Sequence, residues 1–252
     1  MTCRAKLTAV TALFLSAAAP TLATAAAGPT GGAGLAAIKL SAATGTIQPG
    51  NIAVTATGDG MTLTTRASAL LRGQLTFSGS VPASDAGKTV AIERFGHETG
   101  WTWASTVTTT VARDGSFSAA WSTNHIGWFA IRAVIGGAAS TATAAPTVAT
   151  TVYRPSVATM YGPGFWGKRT ACGTVLHRST LGVANRSLRC GEKVALYYHG
   201  HTLIVPVIDR GPYANGADWD LTEATDKALG IPGTATIGAV SLPTPPTQAA
   251  IR

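Results

Sequence analysis

The stretch that decides the reading is VPVIDRGPYANGADWDLTEATDKALGI, residues 205–231. It begins inside an apolar, β-rich run, 202–208, which stops at Asp209. Gly211-Pro212 then turns the chain away, so the Asp209 carboxyl is expected at a strand end beside a cleft. Just upstream, 194–198 and 202–208 flank the polar turn His199-Gly200-His201, a hairpin signal. Downstream, Asp220-Leu221-Thr222 leads into a helical stretch ending at Gly230. Thr222 is a suitable N-cap, Glu223 suits the positive helix end, and Gly230 followed by Pro232 stops the helix. One short helix in an otherwise strand-forming segment predicts a β domain.

Two further blocks precede this one: ATMYGPGFWGKRTACG (158–173) and LGVANRSLRCGEKVAL (181–196). Together the three resemble the rare lipoprotein A family of double-psi β-barrels, whose best-known members are septal lytic transglycosylases. The combination of Y-G-P-G-F, T-A-x-G, D-R-G-P and D-L-T before A-L-G carries the resemblance, which covers nearly all of 154–241. It implies a double-psi β-barrel acting on peptidoglycan glycan strands, with cell-wall or divisome proteins as further partners. Expansins share the fold, so the fold alone does not settle the chemistry.

Cleaving a glycosidic bond requires a proton on the leaving oxygen, and a carboxyl in a partly apolar groove has its pKa raised towards that task. By resemblance Asp209 matches the family's catalytic aspartate; the alternative is a turn-forming aspartate that bonds nearby backbone N–H groups. Asp220 matches a second acidic position, the one proposed as key in expansins and related barrels; the alternative is an acid that complements the helix start. A lytic transglycosylase uses the sugar's own 6-hydroxyl as nucleophile, so one acid/base can suffice where hydrolysis uses two carboxyls. Two departures from the family pattern bear on activity. The Glu after T-A-x-G is Thr174 here, and the His of A-x-H-x-x-L is Asn185. Both can hydrogen-bond a sugar but neither titrates near neutral pH. A non-catalytic peptidoglycan-binding or expansin-like wall-loosening module is therefore the alternative function.

Tyr161, Trp166 and Tyr213, with Phe165 and Trp219, are candidate sugar-stacking aromatics, the alternative being barrel core. The turn-like sequence around Trp166 and Tyr213 favours exposure for those two. Arg210 suits an acidic lactyl or carboxylate group, or a structural salt bridge. His199 and His201 have a ligand-like spacing but no third ligand near them in sequence, so neither a metal nor a cofactor is expected.

The N-terminus reads as a signal peptide, 1–27. Arg4 and Lys6 precede an apolar run, 7–19, too short to span a bilayer, and A-x-A patterns follow at 23–25 and 25–27. Its removal takes two basic residues and no acids, lowering the formal net charge from +8 to +6. The expected location is outside the cell, in the envelope or wall, with no membrane span after cleavage. A basic secreted chain is drawn to acidic wall polymers. Export and scattered basic residues argue against nucleic acid. Cys172 and Cys190 are then the remaining cysteines, and in an oxidising compartment such a pair closes a disulfide, stabilising by about 3 kcal/mol. The alternative is a thiol nucleophile, which requires a reduced thiol.

Between the signal and the barrel, 28–37 is a Gly/Ala-rich linker and 38–153 a run of short alternating segments joined by D-G turns. Such a run suggests an antiparallel β-sandwich. The pattern VAIERF (90–95), WTWASTVTTTVARDGSFSAAW (101–121) and GWFAIRAV (127–134) resembles immunoglobulin-like modules that precede catalytic or binding domains in bacterial surface proteins. Trp101, Trp103 and Trp128 are expected to fill the sandwich core, with a carbohydrate platform as the alternative. Glu93, His97 and Glu98 are expected to be solvated at strand ends or turns. Residues 141–152 read as a last strand or a short linker, Pro155 as the opening of the second domain, and 242–252 as a flexible tail. The expected fold class is all-β: an immunoglobulin-like β-sandwich, then a double-psi β-barrel with one short helix.

Overall fold

The computed structural model describes residues 48–49, 52–136, 144–214 and 216–245. The expected signal peptide, the linker and the tail beyond 245 lie outside them. The described chain is all-β with one α-helix.

Alternation builds the first half. β1 (Gln48–Pro49) precedes β2 (Ala53–Gly58), β3 (Met61–Arg66), β4 (Ser68–Leu70) and β5 (Gln74–Ser80). β6 (Thr89–Phe95), β7 (Ala104–Thr110), β8 (Ser116–Ser122) and β9 (Gly127–Ile135) follow. In β5, β8 and β3 every second side chain is buried, the period of a half-buried strand. Asp59 and Gly60, both at positive φ, form the two-residue turn between β2 and β3. One sheet runs β2-β3-β5-β8. The second runs β7-β6-β9 and continues into β10 (Thr147–Met160), which β4 joins in parallel. Phe77 and Trp121 on the first sheet meet Ile92 and Phe129 on the second. The rings of Trp121 and Phe129 lie edge-to-face at 5.9 Å.

Two expectations fail here. The sandwich's core tryptophan is Trp121; Trp101, Trp103 and Trp128 are only half-buried and outside that core. Glu93 is buried rather than solvated, paired with buried Arg132 at 2.7 Å, and Arg132 in turn lies 4.3 Å over the Trp103 ring. The cause is that β9 is buried on both faces from Phe129 to Val134. Its second face, like that of β6, carries polar residues that bury only by pairing. Glu98, in a turn, stays exposed as expected and meets Arg94 at 3.0 Å.

β10 leaves the sandwich for a barrel. Its first part pairs with β9 and residues 154–158 pair with β15 (Ala235–Ser241). No linker intervenes, and Pro155 lies inside the strand opposite Gly238. The remaining barrel strands are β11 (Val183–Ala184), β12 (Lys193–Tyr198), β13 (His201–Asp209) and β14 (Trp219–Leu221). The order β10-β14-β11-β13-β12-β15 returns to β10, closing six strands. The β10–β14 and β11–β13 pairs are parallel. β12 and β13 form the expected hairpin, its turn His199-Gly200 at positive φ, with His201 already on the strand. Val183, Leu196, Leu203, Val205, Leu221 and Ile237 fill the interior. α1 (Glu223–Leu229) is capped by the Thr222 hydroxyl, which accepts from the Thr225 amide, and ends at Gly230 in the left-handed conformation.

Candidate active site

Asp209 is the last residue of β13. The β11–β13 register shifts there: Val183 opposes Val207, but Ala184 opposes Asp209. Such a bulge re-aims side chains. Ile208 is directed away from the barrel interior into a small cluster with Tyr161, Leu176 and Ala184, and Asp209 sits at its edge. One carboxylate oxygen of Asp209 accepts from the Tyr161 hydroxyl at 2.8 Å. The other accepts from the backbone amides of Ala171 and Arg210, both at 2.8 Å. Three donors thus fix this carboxylate.

Ala184 also opposes Asp220 on β14. The register therefore sets Asp209 and Asp220 on either side of Ala184. With strands about 4.8 Å apart, their Cα atoms are about 10 Å apart. Alanine is small enough to leave that gap clear. Trp219 and Leu221 point into the barrel core, leaving Asp220 outside it, half-buried, with Thr159 donating at 3.1 Å. Burial raises the Asp220 pKa above the ordinary carboxylate value, and the Asp209 charge raises it further. Burial, the bond to Asp209 and both carboxylate charges push the Tyr161 phenol upward, so it remains a donor.

The other expected residues divide. Tyr161 is buried, and its role in this geometry is to orient Asp209 rather than to stack on a sugar. The Y-G-P-G-F motif marks the position but not the inward turn of the ring, which follows from packing on Leu176 and Ile208. Trp219 is likewise core. Tyr213 is 77% exposed and Phe165 49% exposed, both open to a ligand. Trp166 is half-buried on the Tyr161 cluster, with the Arg178 guanidinium 5.9 Å from its ring. Arg210 donates to the Asn185 carbonyl at 3.4 Å and takes part in no ion pair among the described residues. The Asn185 side-chain oxygen accepts from the Ser187 and Leu188 amides, so this residue shapes its own loop. Thr174 closes a loop with Thr170 through backbone and hydroxyl bonds. Cys172 and Cys190 form a disulfide, Cα–Cα 5.5 Å. It ties the loop that carries the Ala171 amide to the loop after Asn185. Ala171 was not singled out from sequence, because a backbone donor leaves no mark on residue type.

Two curated proteins match the barrel region. "Probable endolytic peptidoglycan transglycosylase RlpA" of Synechocystis sp. is 38% identical over 77 residues, 30% of this chain and 24% of that protein. The protein of the same name from Aquifex aeolicus is 37% identical over 81 residues, 31% of this chain and 36% of that protein. The chain thus spans about a quarter to a third of the curated relatives it matches. Among solved structures, the Streptomyces papain inhibitor aligns with a TM-score of 0.29 at 25% identity, over 35% of this chain and 93% of that one. No protein-family model matches the chain. The closed six-stranded topology and these two relatives identify the C-terminal barrel as a double-psi β-barrel of the rare lipoprotein A type.

Proposed function

We propose that the protein is exported to the cell envelope and acts there on peptidoglycan glycan strands as a lytic transglycosylase. The observation that carries this reading is the pair of carboxyls flanking Ala184, one fixed by three donors and one with its pKa raised by burial. In this reading Asp220 holds a proton and delivers it to the glycosidic oxygen as the C–O bond breaks. The muramyl 6-hydroxyl attacks the anomeric carbon, and its proton passes to Asp209. A 1,6-anhydro end forms and no water is consumed. Tyr161 and the Ala171 amide hold Asp209 in place; Tyr213 and Phe165 offer rings to sugar C–H faces. The sandwich, whose first sheet is β2-β3-β5-β8 while β7, β6 and β9 carry the second, fits an immunoglobulin-like module.

One observation favours the second reading, a wall-binding or wall-loosening module. Asn185 and Thr174, which replace the family's titratable His and Glu, have loop-forming hydrogen bonds. The deciding experiment is a digest of purified sacculi by the chain from residue 28 and by its Asp209→Asn and Asp220→Asn variants, read by mass spectrometry. Anhydro-muropeptides from wild type, lost in both variants, are the expected result. Pelleting with sacculi and no soluble product from any form would replace it with the binding module.

A further inference from the structure

Two clefts meet where the sandwich joins the barrel. One, of about 410 Å³, is walled by Trp101 and Trp128 from the sandwich and Leu242 and Pro243 after β15. The other, of about 320 Å³, is walled by Arg154, Arg186 and Asp218 beside Asn185. Ile126, Val240 and Ser241 line both, so the clefts adjoin. Two residues that line the second neighbour the carboxyl pair along the backbone: the Asn185 amide donates to the Asp209 carbonyl, and Asp218 lies two residues before Asp220.

Each cleft has its own chemistry. Trp101 has φ 59°, a left-handed conformation rare for a bulky side chain. Its amide is fixed to the Gly96 carbonyl at 2.8 Å, and its ring rests against Phe95 at 5.8 Å. The strained backbone thus presents an indole to a cleft rather than to the sandwich core. In the second cleft two guanidiniums share one carboxylate. Arg154 stands 3.6 Å and Arg186 4.0 Å from Asp218, both longer than a charge-assisted hydrogen bond. Asp218 is also engaged by the Val157 amide at 3.1 Å. The trio carries one excess positive charge, and both arginines keep donors open to solvent, with side chains 59% and 46% exposed.

We infer that this seam is an extended subsite for the same polymer: a sugar ring rests on Trp101 and Trp128, and a carboxylate of the strand pairs with Arg154 and Arg186. The inference rests on the proposed action on peptidoglycan and extends it to the sandwich. The carboxylate comes either from a stem peptide or from the lactyl group bared when stems are removed.

The test measures binding of the chain from residue 28 to stem-bearing wall glycan, to amidase-denuded wall glycan, and to chito-oligosaccharides, which lack carboxylates. The Arg154→Gln/Arg186→Gln variant is expected to lose about 10-fold in affinity for wall glycan, with a weaker salt dependence, and to bind chito-oligosaccharides as wild type does. Loss confined to the stem-bearing form assigns the stem carboxylate; loss in the denuded form assigns the lactyl group. Trp101→Gly, which suits the backbone, is expected to weaken all three. Unchanged binding by both variants, with wild type binding wall, overturns the inference and leaves the barrel site standing. A change in tryptophan fluorescence on deleting 246–252, with none on adding glycans, assigns the aromatic cleft to the chain's own end and also overturns it. No wall binding by wild type overturns the proposed function itself.

Discussion

Three aspartates show how environment assigns different work to one side chain. Asp209 receives three donors on its two oxygens and is held still. Asp220 is half-buried beside a negative charge; burial first and that charge second disfavour its ionised form, against the one hydroxyl donor that favours it. Asp226, on α1, is buried and one of its oxygens has no partner among the described residues. Burial raises its pKa. The folded state therefore binds this proton more tightly than the unfolded state. The stability that this contributes is present below the ordinary aspartate value and is lost as pH rises through the raised one. Asp226→Asn, isosteric and neutral, is expected to stabilise at pH 7 by about 1 kcal/mol, or roughly 2–4 °C in Tm. At pH 3, where both states hold the proton, the gain should nearly vanish. Thermal melts at the two pH values check this; an equal gain at both would mean that the carboxyl's charge is not the cause.

Among the elements, short strands and loops position the site more than long strands do. β11 has two residues, yet its register places both acids: Ala184 faces Asp209 on one side and Asp220 on the other. The bulge opposite it sends Ile208 out of the barrel interior and gives Tyr161 its packing partner. Gly182, just before β11, has no room for a side chain: an added Cβ would lie 2.7 Å from Ile208. The disulfide acts on the next loop, joining Cys172 and Cys190, 18 positions apart in the chain. Removing it with Cys172→Ser/Cys190→Ser is expected to cost about 3 kcal/mol in denaturant unfolding. The same change frees the Ala171 amide from its fixed place on Asp209, so any glycan-cleaving rate should fall with it. A stability loss with an unaltered rate would show that the loop holds its shape through the Thr170–Thr174 bonds alone.

At the scale of the whole molecule, β10 is the connecting element. Its 14 residues pair with β9 and β4 in the sandwich and with β15 and β14 in the barrel. Tyr153 sits at the change of partner, 2% exposed and stacked on Tyr197 at 5.5 Å. Val240 and Leu242 complete this seam core, with Trp128 against it. A shared strand and a shared core couple the halves, so calorimetry should show one unfolding transition. Tyr153→Ala is expected to destabilise by about 3 kcal/mol and to separate the sandwich and barrel transitions. Two transitions already present in the wild type would mean that the seam transmits little.

The local signals in the sequence were enough for the all-β class, the hairpin around His199-Gly200 and the capped helix, while the barrel came from the resemblance carried by three motif blocks and the disulfide from the two cysteines left after the signal. Each local signal rests on neighbours in the chain: alternation for strands, positive-φ residues for turns, a hydroxyl and a glycine for helix ends. The tertiary structure decided what those signals do not encode. It buried Tyr161 against Asp209, paired Glu93 with Arg132, and chose Trp121 over three other tryptophans for the core. It made 147–160 one strand where a linker was an open reading. The physical reason is common to all of these. Burial and register depend on what lies across the sheet, and the residues across from Asp209, Glu93 and Tyr153 come from 25, 39 and 44 positions away in the chain: Ala184, Arg132 and Tyr197.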